Sequence, residues 1–184
     1  MDVAPRRVLV GGIELVLRRA SADDVMALRH AELRPGLPRA TAEFDGDGSA
    51  TTRHFAAVMR DAAAARRESS HEEIVGCLSF MVAPYDGRPA YQLRGMATRR
   101  DLVRRGIGRA LVEHAVAALV TRDGARLFWC NARLAAVPFY RRVGWQVASG
   151  VFEIPTVGPH RVMTFVADVR GHDSTRTIRG MPLE

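Results

Sequence analysis

Two glycines and three arginines carry the most specific chemistry in this sequence. Arg104-Arg105-Gly106-Ile107-Gly108-Arg109-Ala110 stands between a predicted strand and the longest predicted helix. Gly106 and Gly108 let the backbone pack close to a ligand. The helix that follows offers unpaired N–H groups and the positive end of its dipole. Arg104, Arg105 and Arg109 add charge, so the segment suits a pyrophosphate. An ordinary turn into a helix would use the same Gly-x-Gly, and taken alone the two readings weigh equally. Two other phosphate loops are excluded. A Walker A loop needs Gly-Lys-Ser/Thr, and the chain has no lysine. A dinucleotide fingerprint needs Gly or Ala three residues past the second glycine, and that position is Leu111. Cys77, Cys130 and six scattered histidines form neither a disulfide framework nor a zinc spacing, so no metal is expected.

The elements that must hold this loop follow from periodicity and turn chemistry. Gly12 to Arg19 alternates as a strand. Ser21 is placed to cap a helix with Asp23 and Asp24 in its first turn, ending near Pro35-Gly36. Residues 36–51 read as an irregular loop and His54 to Val58 as a strand. Arg60 to Glu72 is polar and Ala-rich, an exposed excursion or short helix. Ile74 to Tyr85 and Ala90 to Thr98 form a hairpin across Asp86-Gly87-Arg88-Pro89. Gly106 to Arg122 is a helix, with Ile107, Ala110, Leu111, Ala115, Ala118 and Leu119 on one face and Asp123-Gly124 at its end. Leu127 to Cys130 suits a central strand. A short helix over Ala135 to Val143 and strands over Trp145 to Ile154 and Arg161 to Val169 complete the chain. The order β-α-β-β-β-α-β-α-β-β predicts an α/β (α+β) fold. It is one domain, a mixed sheet with helices on both faces, over residues 1–184. Its core spans about 13–169, followed by a polar tail over 170–184.

The chain has 184 residues, 47% hydrophobic and 26% charged. That excludes a disordered chain. No apolar run has the length of a membrane span, and Met1 to Gly12 does not read as a secretory signal. A reducing, cytoplasmic setting is expected. The net charge of +7 invites a nucleic-acid partner, but the charge is local. Residues 99–142 hold ten arginines and three acids, and the rest of the chain is balanced. With no recognised binding motif and no basic–aromatic interleaving, nucleic acid is not an expected partner.

The stretch from Ala97-Thr98 through Asp101-Leu102-Val103 to Gly106-Ile107-Gly108 resembles motif A of the GNAT acyltransferase superfamily. Ala136-Val137-Pro138-Phe139-Tyr140-Arg141-Arg142-Val143-Gly144-Trp145 resembles its motif B. Leu28-Arg29, Leu33-Arg34-Pro35-Gly36, Leu93-Arg94-Gly95-Met96-Ala97, Trp129-Cys130-Asn131-Ala132-Arg133 and Ile154-Pro155-Thr156-Val157-Gly158-Pro159-His160 are similar to an ElaA-like subgroup. The likeness covers about residues 13–169 and is sharpest over 92–145. Two positions depart from the pattern. Val103 stands where the family has Gln or Arg, and Arg133 where motif B has Asn, with Asn131 two residues earlier.

This resemblance implies a mainly antiparallel sheet and transfer of an acetyl or other acyl group from acyl-CoA to a primary amine of a small molecule or peptide. Transfer is direct, in a ternary complex with acetyl-CoA as co-substrate. Arg104, Arg105, Gly106, Ile107, Gly108 and Arg109 would bind the pyrophosphate. Met96, Ala97 and Thr98 would pair with the pantetheine arm. Ala136 and Phe139 would line it, and Arg142, with Arg141 beside it, would reach the adenine side. Whether Asn131 or Arg133 contacts pantetheine stays open. Tyr140 fits the family's general acid, since a phenol can protonate a leaving thiolate. Glu153 and His160 are the candidates for the base that takes the amine proton, and Glu32 and Arg34 could line the acceptor side. Cys130 reads as a buried structural thiol. The two departures also support a second reading, a CoA-binding sensor without catalysis. A homodimer is allowed but not implied.

Overall fold

The computed structural model describes residues 4–60 and 72–168. Of the excursion predicted over Arg60 to Glu72, the two ends belong to strands, and residues 61–71 lie outside the described residues, as does the tail over 170–184. The strands are β1 (Arg6–Val10), β2 (Ile13–Ala20), β3 (Arg53–Arg60), β4 (Glu72–Val82), β5 (Tyr91–Thr98), β6 (Leu127–Arg133), β7 (Gln146–Val147), β8 (Phe152–Ile154) and β9 (Gly158–Val166). The helices are α1 (Ala22–Leu33), α2 (Ile107–Asp123) and α3 (Val137–Arg142). The strands form one sheet in the order β1-β2-β3-β4-β5-β6-β9-β7, with β8 also on β9. Among the described residues only the β5–β6 pairing is parallel. The fold is therefore the expected mixed, mainly antiparallel one, with two differences. β1 precedes the first predicted strand, and the strand predicted over Trp145 to Ile154 is broken into β7 and β8. The break falls where Ser149 leaves the ladder and its Oγ accepts the Val162 N–H at 2.8 Å.

Local chemistry explains the elements. Ser21 and Asp24 form a reciprocal capping box at the start of α1, satisfying two N–H groups that a helix start leaves open. Asp86 and Gly87 both have positive φ (49° and 67°), and Tyr85 and Arg88 exchange backbone bonds across them. That is the two-residue turn an Asp-Gly pair favours between antiparallel strands. α2 buries Ile107, Leu111, Val112, Ala115 and Leu119 against Leu15, Phe55, Val75 and Phe128. α1 covers the opposite face with Val25 and Leu28 against Cys77 and Ala97. Neighbours on β4 prove the division, because Gly76 lies under Ile107 and Leu111 while Cys77 faces α1.

Two irregularities of β5 open the sheet. Leu78 faces both Gly95 and Met96, a bulge with Gly95 at φ +57°. Glycine suits that left-handed position. It is also required by space, since a Cβ there would lie 2.6 Å from Arg29 Nε. β5 leaves β6 after Gln92, ahead of the bulge. The two strands pair only at Tyr91–Phe128 and Gln92–Trp129, so the rest of each diverges.

Candidate active site

Two cavities occupy the divergence, one on each face of the sheet. The first, about 690 Å³, lies on the α2 side. Met96, Ala97 and Thr98 of β5 form one wall. Arg104, Gly106, Ile107, Gly108 and Arg109 form its floor, and Ala136, Phe139, Tyr140 and Arg142 the far wall. Leu102, Val103 and Val143 add apolar surface.

The loop at Gly106–Gly108 turns into α2 as its two glycines imply. Gly106 caps α2 at φ +91°, and no side chain bonds the first turn. The first bond back to the cap comes from Ala110 N–H at 3.0 Å, so the amides of Ile107, Gly108 and Arg109 have no helical partner. A Cβ on Gly108 would meet Met96 Cε at 3.0 Å and Thr98 Oγ1 at 3.5 Å. The missing side chain therefore keeps the path from loop to β5 open. Uncapped amides and arginines suit phosphate, and the apolar wall suits an extended pantetheine arm, so these residues fit acetyl-CoA. Arg109 also pairs with Glu113 one turn on, at 2.7 Å.

The second cavity, about 590 Å³, lies on the α1 side. Its charged walls are Arg34 after α1, Arg94 of β5 and Arg133 of β6, with exposed Asp45 at the rim. Arg94 Nη1 donates to the Asp45 carbonyl at 2.9 Å. The Phe44 ring lies under Arg94 (5.0 Å) and Arg34 (5.9 Å). Burial, with the charge of Arg133 second, lowers the pKa of Arg34. Among the described residues none of these three arginines has an ion-pair partner.

Met96, Ala136 and Tyr140 line both cavities. Tyr140 is buried, its ring against Phe139 and Trp145, and its hydroxyl donates to Met96 Sδ at 3.7 Å. Burial, reinforced by Cys130 beside it, raises the phenol well above its ordinary pKa and keeps it protonated. Burial also pushes the Cys130 thiol up to about 12. His160 faces the second cavity and is buried. Its Nδ1 lies 2.6 Å from the Gly158 carbonyl. A carbonyl only accepts, so Nδ1 carries a proton, and of the two neutral tautomers this contact selects the one with the lone pair on Nε2.

Several expected residues lie away from the place foreseen for them. Glu153 is exposed on β8 and lines neither cavity. Asn131 and Arg133 alternate with buried Ala132 on β6 and line the second cavity, not the first. Arg105 is exposed and outside the first cavity, as is Arg141. Glu32 does not line the second cavity. It accepts the Arg100 N–H at 3.0 Å and caps the turn after β5. Val103 lines the first cavity without a polar contact to offer. Phe44 and Arg94 were not singled out as site residues. Phe44 sits in an irregular loop with no local signal, whereas Arg94 stands inside a matched motif.

A sheet splayed beside an uncapped Gly-x-Gly loop, with a buried phenol between two cavities, suits an acyl-CoA-dependent transferase. Comparison with known proteins agrees. The model of the acetyltransferase (GNAT) domain matches residues 55–147. The chain is 29% identical over 149 residues to the uncharacterized N-acetyltransferase YitI of Bacillus subtilis (strain 168), covering 81% of this chain and 94% of that protein. Two solved structures share the fold. Escherichia coli ElaA is 14% identical with a TM-score of 0.62, covering 82% and 98% of the two chains. An aminoglycoside 6′-N-acetyltransferase solved with coenzyme A is 13% identical with a TM-score of 0.61, covering 84% and 98%. The chain belongs to the GNAT acetyltransferase family and is an acetyl-CoA-dependent N-acetyltransferase. Among the described residues no helix is long and apolar enough to cross a membrane.

Proposed function

We propose that this enzyme acetylates the primary amine of a small molecule that also carries an anionic group, a carboxylate or phosphoryl. The observation that carries this reading is the trio Arg34, Arg94 and Arg133 around one cavity, unpaired among the described residues. Guanidinium forks match carboxylate and phosphoryl oxygens. Three of them gathered with Asp45 as the one lining acid, exposed at the rim, repel one another, and an anion relieves that repulsion. A polycation such as an aminoglycoside would meet the same repulsion, so it fits this cavity poorly.

The first cavity then holds acetyl-CoA, with Arg104, Arg109 and the first-turn amides of α2 on its pyrophosphate. Bound there, acetyl-CoA supplies a thioester carbonyl open to attack. His160 Nε2 takes the proton from the acceptor amine, directly or through one water. An amide of the divergent part of β5 steadies charge developing on the carbonyl oxygen. Tyr140, kept neutral by burial, gives its proton to the leaving thiolate. We assign the reaction to the cytoplasm, a reducing compartment that suits the two free cysteines.

Thiol release from acetyl-CoA, measured over matched amines, tests the reading. Each set contains an amine bearing a carboxylate or phosphonate, its neutral amide or ester, and a polyamine. The anionic member is expected to lead in kcat/KM by about 10–100-fold, the worth of a charge-assisted contact. Arg133→Gln should erase that lead and leave CoA affinity unchanged. A preference for the polyamine refutes the assignment.

A further inference from the structure

The β1–β2 hairpin abuts the phosphate loop, and we propose that its Gly11–Gly12 turn is a positioning element of the acetyl-CoA site. Gly11 and Gly12 both hold positive φ, +57° and +78°. A Cβ on Gly11 would lie 2.8 Å from the Arg105 carbonyl oxygen and 2.9 Å from Arg105 Cβ. Neither atom can swing aside as a side-chain tip can. The contact is reciprocal, since a Cβ on Gly106 would lie 3.1 Å from Val10 Cγ1. Hairpin and loop therefore meet main chain to main chain, at the residues that turn the chain into α2.

The loop needs such a support. Arg104 holds φ +64° and Gly106 φ +91°, so Arg105 is bracketed by two left-handed residues. A side-chain-bearing residue resists that conformation and keeps it only where its surroundings leave no alternative. The turn at Gly11 occupies the space into which Arg105 would relax. By holding Arg105 it holds the aim of the Ile107, Gly108 and Arg109 amides. Gly11 and Val10 line neither cavity, so they act on the co-substrate only through the loop. The inference rests on the reading of Arg104–Arg109 as the pyrophosphate site.

Two alanine variants separate support from strain. Gly11→Ala and Gly12→Ala place the same residue at positive φ, but a Cβ on Gly12 meets nothing within 4 Å. CoA binding to the full chain is measured by isothermal titration calorimetry, and folding by thermal melting. Both variants should lower Tm, and only Gly11→Ala should raise the Kd for CoA. A rise of about tenfold is expected, because the clash displaces the loop by roughly half an ångström. If Gly11→Ala does not fold, Val10→Ala decides. It removes the methyl against Gly106 without strain and should raise Kd about threefold. An unchanged Kd, or an equal rise in Gly11→Ala and Gly12→Ala, overturns the proposal. Arg104→Gln keeps the underlying reading separate. Weaker CoA binding there, with none in the hairpin variants, would sink only the support role.

Discussion

Arg29→Met puts the buried charge beside the second cavity to the test. Arg29 is fully buried on α1 and carries a guanidinium with five donors to satisfy. Its Nη1 donates to the Ala42 carbonyl at 3.0 Å and to Asp47 Oδ2 at 2.5 Å, and Nη2 donates to Ser79 Oγ at 2.7 Å. The Phe44 ring covers the guanidinium at 4.5 Å. His54 closes the network, with Nδ1 2.7 Å from Ser79 Oγ and Nε2 2.9 Å from the Asp47 carbonyl. Methionine keeps the apolar stem and removes every donor. The Asp47 side chain, 14% exposed, would then retain only the Phe44 N–H at 3.0 Å. Stranding one partner of a buried pair costs about 3–5 kcal/mol. In a chain of this length each kcal/mol moves Tm by about 2–4 °C, so a fall of roughly 6–20 °C is expected by scanning fluorimetry. Arg29→Met/Asp47→Asn removes the stranded charge while keeping an acceptor for Phe44. Urea titration of the set should give a coupling of about 0.5–3 kcal/mol. A fall in Tm below about 3 °C, or strict additivity, refutes the reasoning.

Other outcomes follow from the site and core. Tyr140→Phe should lower kcat by about 10²–10⁴-fold, the usual worth of a positioned acid. Its Kd for CoA should stay within about twofold, because the hydroxyl touches only the Met96 sulfur and the Cys130 side; undiminished kcat would remove Tyr140 from the mechanism. Cys77 and Cys130 are both pushed up to about 12 by burial. At pH 8 only about 10⁻⁴ of each is thiolate, so iodoacetamide should label them in guanidinium and not in buffer. Unfolded thiols ionise near their ordinary value of 9.0, well below the folded ones. Stability should therefore fall as pH rises from about 9 to 12. Rapid labelling of the native chain would contradict the burial.

The hairpin, the long helix and the Gly106–Gly108 turn into it were legible because each has a short-range cause. Asp86-Gly87 sets its own turn, and Gly106 and Gly124 bound α2 with left-handed caps. β1 was missed although Gly11-Gly12 is a hairpin signal, because Arg6–Val10 shows little burial of its own. The acceptor side was harder to read. Arg34, Arg94 and Arg133 come from three elements far apart in sequence, and only the splay and the Gly95 bulge bring them together. Asn131 and Arg133 illustrate the limit. Alternation says they share a face, but not that this face turns away from the phosphate loop. Glu153 was judged by its loop alone, and the pairing of β8 with β9 turns it to solvent.

Met96, Ala136 and Tyr140 form the wall common to two cavities that open on opposite faces of the sheet. On the proposed assignment each substrate has its own door, and neither sits behind the other. Binding can then proceed in either order, and each product can leave without waiting for its counterpart. The two diffusion paths meet only at three side chains, so the acceptor side can be reshaped in evolution without rebuilding the side that grips the nucleotide.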